Sequence, residues 1–521
     1  MSNGNRSGSG GGAVAGEAPV PAVGVPGADG SSVDLTDVQG LLRFGFKHHT
    51  EAVFLLLRVT NAVAASQWLA RVEVTSAVAL DPVPGTALQI AITRAGMDAL
   101  GVGADVVGGF SEEFLEGMAG DANRTRRLCD VGASVPDSWD WGSRDREPHV
   151  AVLLYAMPGH LAELKRNIEL ACAAGFDVMY RLSTTDMGGV EPFGFTDGLS
   201  QPELDWDRVM AVADIQELSY RNLNCLGEFV LGYPNEYGLY TPRPLLPPSH
   251  DPQRMLPRAQ DSPDSADLGR NGSYLVIRQL RQDVPGFWQA MDARASGVEV
   301  EREWLASQLV GRTRAGEPIV VDSGGHATPA RDLNTFTFDS DPAGQRCPIG
   351  AHIRRVNPRT ADLPPGGTGL VSKLIRTLGL NSASRAEDLA ASTRFHRVLR
   401  RGREYGLHIT PEEALRLKAP VESGLHFMCL NANIQRQFEF VQSAWVMSTH
   451  FNGLHSESDP LLGDRKPGPE GVRCDYFSMP RADGPTRRLE NLPQFVTVAG
   501  GAYFFLPGIR ALRWIASHAA G

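Results

Sequence analysis

The chain has 521 residues, enough to bury a large core in about two to four structural units. Its 50 Lys and Arg stand against 60 Asp and Glu, a formal net charge of −10. The two signs are interspersed, which excludes the basic stripe of a nucleic-acid binder.

Six cysteines occur without a Cys-x-x-Cys pair, so a zinc ribbon, a disulfide framework and a Cys-x-x-Cys-His haem attachment all lack support. Their scatter suits a reducing, cytoplasmic compartment. No apolar run approaches the roughly 18 to 20 residues that span a bilayer, and the N-terminus shows neither a basic start with an apolar stretch nor a twin arginine. No membrane contact and no export by those routes are expected.

Residues 1–34 are rich in Gly, Ser, Ala and Pro and read as a disordered tail. Folding is expected to begin near Asp37. Ala52 to Leu57 is a continuous apolar run that fits a buried strand, and Asn61 to Thr75 has helical spacing with Ala65, Trp68, Leu69 and Val72 on one face. From Leu88 a strand passes into a short amphipathic helix that ends at a glycine, and from Pro148 a further buried strand leads to a helix with Leu161, Leu164, Ile168 and Ala171 on one face. The order strand, helix, strand, strand, helix, strand is that of the split βαβ, ferredoxin-like unit, placed at residues 35–240. Helices cover one face of such a sheet, so the other face must bury itself elsewhere.

Residues 241–268 are rich in Pro, Asp and Ser without periodicity and read as a long surface connection. A second unit, 269–521, reopens with a strand from Tyr274 to Arg278 and a helix. Residues 361–392 read as an insertion. From Gly424 a strand precedes a helix with Ile434, Phe438, Val441 and Trp445 on one face, and QFVTVAGGAYFFLPG is again strand-like. The fold class is α+β with two similar halves and no clean sequence repeat between them.

Three segments carry chemistry. EPFGFTDGLSQPELDW, Glu191 to Trp206, sets Asp197 among Phe193, Phe195 and the bend-permitting Gly194 and Gly198. A carboxylate pressed against aromatics is costly unless paired or used, which marks a candidate proton handler; the competing reading is an Asp-Gly turn. CPIGAHIRRVNPRT places His352 in an apolar context before Arg354, Arg355 and Arg359. Neutral imidazole is the common protein ligand of haem iron and arginines suit haem propionates, while a structural or exposed histidine is the competing role. In RFHRVLRRGREYG, Arg400 and Arg401 alternate faces if the segment is a strand, so one points inward while its neighbour is solvated. Arg401 and Tyr405 also have the spacing of a tyrosinate haem ligand, but the turn residues around them do not read as the long helix that ligand needs.

GFTDG, CPIGAHIRR and RVLRRGREYG, in this order and with DVQGLL, FSEEFLEGM, GEFVLGYPNEYG, NGSYLVIRQLRQDVPGFW and CLNANIQRQFEFVQ, make the chain resemble the dye-decolourising (DyP-type) haem peroxidases from about residue 37 to the C-terminus. The resemblance implies two ferredoxin-like domains enclosing one haem b. It implies His352 as the proximal iron ligand, Asp197 on the open distal side, and Arg400 beside it, chosen over Arg401 because it directly follows Val-Leu. Arg359, Phe195, Phe427 and Phe438 are implied as further cofactor contacts.

The implied activity reduces hydrogen peroxide and oxidises bulky organic donors such as dyes and phenolics in one-electron steps, in a protein that could be a homo-oligomer. Asp197 would act as base and then acid on the peroxide, and Arg400 would stabilise developing negative charge. A carboxyl near its reference pKa of about 4, or raised by burial, predicts an optimum between roughly pH 3.5 and 5.5. Trp288, Trp445 and Tyr405 are candidates for passing electrons to large donors, with core packing as the competing role. One departure concerns the acid that many relatives carry after the corresponding strand. Here the chain reads CLNANI, so the hydrogen-bond partner of His352 is either Asn433, a weak acceptor, or another acid such as Glu439. A haem-handling protein without turnover is the alternative function. A haem-free enzyme on a glycine loop lacks a motif outside the tail.

Overall fold

The computed structural model describes residues 33–208, 222–321, 333–359, 393–465, 471 and 473–518. Nearly all of the expected tail, and the expected insertion at 361–392, lie outside the described residues.

Strand β1 (Glu51–Val59) is the apolar run expected at 52–57, and Asn61 caps helix α1 (Ala62–Leu69) by accepting the N–H of Ala64. The helix is shorter than its apolar spacing suggests. Beyond it, Thr75 donates its N–H to the Leu88 carbonyl and accepts the Leu88 N–H on its hydroxyl, so the chain is drawn alongside a strand edge. Strand β2 (Thr86–Ile92), helix α2 (Arg94–Leu100), strand β3 (Val150–Ala156), helix α3 (Leu161–Cys172) and strand β4 (Phe176–Ser183) complete the first half. Gly101 ends α2 at φ 83°, a left-handed cap that glycine adopts without strain.

The second half holds β5 (Ser273–Gln282), α4 (Val284–Arg294), α5 (Glu299–Val310), α6 (His352–Val356), β6 (Leu399–Arg400), β7 (Arg403–Gly406), β8 (Ser423–Asn431), β9 (Val496–Leu506) and α7 (Ile509–His518). Within the first half the strands lie in the order β2-β3-β1-β4, and within the second β6-β8-β5-β9, with β7 also on β8. Each half therefore sets its first strand between its last two, all pairs antiparallel, which is the ferredoxin-like arrangement. The halves join where Phe505 of β9 pairs with Ile92 of β2, giving one sheet of nine strands among the described residues.

The helix-free faces share a single apolar core. Phe54, Leu56 and Leu153 of the first half and Leu275, Ile277, Met428 and Phe504 of the second belong to it, closed by Leu41, Phe46, Trp141 and Phe229. At about 1.5–3 kcal/mol for each fully buried large side chain, this shared core answers the need for cover that the split βαβ order creates.

Two segments differ from expectation. The Pro- and Asp-rich connection is tied down: Leu246, Leu256 and Leu268 are buried, and Arg243, itself buried, binds Asp267 at 2.7 Å and also Asp261. The helix expected after β8 is instead a run of wide, π-helical turns at Gln435–Glu439 and Val441–Val446. Their N–H groups reach back five residues, from Glu439 to Ile434 and from Met447 to Gln442. The wider turn rotates successive side chains less regularly, so Ile434, Phe438 and Trp445 are buried while Val441 is only partly so.

A candidate active site between the two halves

The loop after β4 presents Asp197. Gly194 sits at φ 91° and Gly198 at φ 74°, a region that disfavours any side chain. Gly194 donates to the Glu191 carbonyl, Thr196 to the Arg314 carbonyl and Asp197 to the Gly189 carbonyl, so the bend is fixed on both sides of the acid.

Across from it, β6 brings Arg400 into register with Cys429 of β8. Its Nη1 lies 3.0 Å from Asp197 Oδ1, and Nη2 reaches the Ser200 carbonyl at 3.3 Å. Strand alternation sends Arg401 the other way, where its guanidinium donates to the carbonyls of Leu41 and Leu42. Asp197 and Arg400 are each about one-third exposed, and both line the same cavity. Burial pushes the Asp197 carboxyl up. The Arg400 charge and hydrogen bond and the Gly198 N–H oppose it and hold the carboxyl below the ordinary carboxylate value. This corrects the expectation of a carboxyl at or above its reference value.

His352 opens α6. Its Nδ1 lies 2.9 Å from Asp459 Oδ2, while the other Asp459 oxygen accepts the N–H groups of Leu461 and Leu462, both at 2.9 Å. Asp459 is fully buried; burial raises its pKa, but the His352 ring, Arg355 and the Leu462 N–H bring it below the usual value. An ionised Asp459 fixes the tautomer with the proton on Nδ1, so Nε2 keeps its lone pair for a ligand, and His352 lines the cavity.

Neither candidate partner from the sequence serves His352. Glu439 binds Tyr503 at 2.9 Å, Arg127 at 3.1 Å and also Arg124, and the Asn433 side chain accepts the N–H of Arg436. Asp459 was hidden because it lies in an irregular segment, HSESDPLLG, 107 residues from His352. The Asp-Pro step leading into two leucines was the only local sign of an acid folded inward.

The cavity has a volume of about 290 Å³. Phe195, Phe427 and Phe438 line it with Asp197, Arg400, His352 and Arg359, so these seven residues picked from the sequence meet there. Arg359 donates to the carbonyls of Asn334 and Phe336 at 2.6 and 2.8 Å and lies 3.9 Å over the Phe336 ring. Arg312, which the motifs did not single out, lines the cavity beside it and shares the Ser200 hydroxyl with it. Arg354 and Arg355 do not reach the cavity: they are buried clamps on backbone carbonyls, among them those of Cys347 and Trp445. Trp288, Trp445 and Tyr405 are all buried, Trp288 parallel to Phe195 with ring centroids 6.4 Å apart.

An imidazole backed by a carboxylate, apolar walls of aromatic rings, and two arginines at one side form a donor set suited to a haem: an axial nitrogen, faces for the macrocycle and cations for its propionates. Among the described residues, no helix is long and apolar enough to cross a membrane.

The fold and the donor set fit a haem peroxidase. No family model matches the chain. It is 30% identical over 447 residues, 82% of its own length and 81% of the relative's, to the "Multifunctional dye peroxidase DyP2" of an Amycolatopsis species. It is 27% identical to the "Dye-decolorizing peroxidase msp1" of Mycetinis scorodonius, covering 94% of this chain and 88% of that one. Among solved structures, a fungal DyP-type peroxidase from Auricularia auricula-judae matches with a TM-score of 0.69 at 24% identity, over 94% of this chain and all of the other. The DyP-type peroxidase of an Anabaena species matches at 0.67 and 23% over 92% and 94%. The chain belongs to the dye-decolourising peroxidases.

Proposed function

We propose that the protein binds haem b between its halves and uses it to reduce hydrogen peroxide at the expense of bulky organic donors such as dyes and phenolics. The observation that carries this is the meeting of the Arg400–Asp197 pair with His352 on one cavity, Asp459 standing behind the imidazole.

His352 Nε2 would hold the haem iron, and Asp459 would make that imidazole more electron-rich. Arg312 and Arg359 would hold the propionates, and Phe195, Phe427 and Phe438 would pack against the macrocycle. The chemistry that haem supplies when bound is electron transfer to peroxide, with replacement one electron at a time from the organic donor. Asp197 accepts the proton of the peroxide oxygen that approaches the cofactor and returns it to the departing oxygen, which leaves as water. Arg400 holds Asp197 ionised and ready, and offers its fixed positive charge to the oxygen that becomes negative as the O–O bond lengthens.

Residues 35–240 and 269–521 are taken as the two domains, with 241–268 between them. The protein is taken to work in the cytoplasm without nucleic acid or membrane, and a homo-oligomer is compatible with this reading. An absorption spectrum of the haem-loaded protein, before and after one equivalent of peroxide, tests the proposal. A Soret band that bleaches and shifts, with peroxide-dependent dye oxidation, is the expected result. A bound haem whose spectrum peroxide leaves unchanged would favour haem handling without turnover, a reading that the ionised Asp197–Arg400 pair argues against.

A further inference from the structure

The loop that carries Asp197 is closed around a second carboxyl group. Glu191 Oε1 accepts the N–H of Phe195 at 3.1 Å, and Oε2 accepts the N–H of Phe193 at 3.1 Å and the amide of Gln282 at 2.8 Å. The backbone adds two bonds across the same turn, from Glu191 N–H to the Phe195 carbonyl and from Gly194 N–H to the Glu191 carbonyl. Gln282 is the last residue of β5, so this one side chain ties a loop of the first half to a strand of the second. Just beyond the turn, Val190 pairs with Thr196 and Asp197 donates to the Gly189 carbonyl. The place of the Asp197 carboxylate is therefore inherited from the turn before it.

We propose that Glu191 is a positioning residue for the peroxide reaction: its carboxyl group holds the Phe193–Phe195 turn and thereby sets where Asp197 meets Arg400 and the oxidant. The functional half of this proposal rests on the reading of Asp197 as the proton carrier. Two features separate Glu191 from an ordinary turn acid. It lines the same cavity as Asp197, and three N–H donors from two halves of the molecule converge on it. Burial pushes its carboxyl up to about 7, against the pull of Gln282 and the two backbone N–H groups and with the Asp197 charge adding to the rise. It is an internal group held in a costly place, which a solvated turn acid is not.

The test compares Glu191→Ala, Glu191→Gln and Asp197→Ala by amide hydrogen exchange in the haem-free and haem-loaded proteins, and by the rate of the loaded proteins with peroxide. Alanine removes both acceptor oxygens, so the Phe193 and Phe195 amides are expected to exchange at least about 10-fold faster. Reactivity with peroxide is expected to fall about 10- to 100-fold through misplacement of Asp197, with KM for the organic donor unchanged. Glutamine keeps one acceptor, so one of the two amides should keep its protection and the rate should fall less. If the alanine protein does not fold, the glutamine protein decides, because loss of protection at one amide together with a slower peroxide reaction is still required. Unchanged exchange in either variant, or faster exchange with peroxide reactivity within about 2-fold of the parent, overturns the proposal. An Asp197→Ala protein as reactive as the parent removes the reading of Asp197 and with it the functional half. The exchange data then decide separately whether the Glu191 carboxyl holds the turn.

Discussion

Asp459 stands 2.9 Å from His352 Nδ1, fully buried and held by two backbone N–H groups on its other oxygen. The acid is thus fixed before any ligand reaches the imidazole, and its charge is what distinguishes this histidine from a neutral structural one. Replacing it by asparagine keeps the shape and removes the charge. Asp459→Asn is expected to lower haem affinity or peroxide turnover about 10- to 100-fold and to move the reduction potential of the loaded protein upward, read by redox titration. Asn433→Ala should leave that potential where it was, because Asn433 caps its own turn rather than the histidine. An unmoved potential in Asp459→Asn would remove Asp459 from the proximal role.

The Arg400–Asp197 pair makes a second prediction with a definite sign. Burial raises the Asp197 carboxyl and Arg400 is the largest of the influences that lower it. In Arg400→Ala burial loses its main opponent, with the Gly198 N–H still in place, so the carboxyl protonates at higher pH and the acid limb of the kcat/KM profile for peroxide moves up. Turnover at the optimum should also drop about 10²- to 10³-fold through loss of the charge that meets the departing oxygen. Arg401→Ala should do neither, since that guanidinium serves the carbonyls of Leu41 and Leu42. A pH profile in Arg400→Ala that coincides with the parent's would show that Asp197 is not the titrating base.

What the sequence makes legible follows the range of the interaction. The buried strands announced themselves, because runs such as Ala52 to Leu57 must be covered wherever they lie. Asp197 and His352 each sit in a short segment whose glycines or apolar neighbours are unusual for the charge they carry, while Arg400 was separated from Arg401 by its place directly after Val-Leu; alternation alone said only that the two diverge, and Arg401 is held on backbone carbonyls rather than solvated. The partner of His352 was not legible. A contact between two irregular segments leaves no period in the chain, and Glu439 and Asn433, nearer the expected place, are turned to other work. Arg312 was missed for the same reason, since its part in the site comes through Ser200 and Phe336, distant in sequence. The turns at 435–446 escaped because apolar spacing reports a face and not the pitch of the backbone that presents it.

Removal of Arg243 should test the connection at 241–268. Its guanidinium is buried against Asp267, which has no exposure of its own. Arg243→Ala leaves a carboxylate inside the protein with its main partner gone, for a loss of about 3–5 kcal/mol read by urea unfolding. Pairing Arg243→Ala with Asp267→Asn should recover part of that loss, because the stranded charge is removed. A loss under about 0.5 kcal/mol, the range of an ordinary surface change, would mean the connection contributes nothing to stability.

Stability should also depend on pH in a direction set by buried acids. Burial lifts the carboxyls of Glu147, Glu191 and Glu404 from an ordinary 4.5 to about 7 in the folded protein. Folding therefore favours their protonated forms: the stabilisation is fully present below about pH 4.5 and is lost as pH rises through 7. Asp197 and Asp459 act in the opposite sense. Their folded values lie below the ordinary 3.8, so their contribution is present above 3.8 and lost as pH falls through the depressed values. Between the two windows the protein has both contributions, so its midpoint of thermal unfolding without haem should be higher near pH 5 than near pH 8 and should fall again on strong acidification. Glu404→Gln, which keeps the shape of a protonated acid, should flatten the alkaline decline without abolishing it. A midpoint that rises steadily from pH 5 to 8 would mean that these carboxyls are solvated in the folded chain, and the loop around Glu191 would then be open to water.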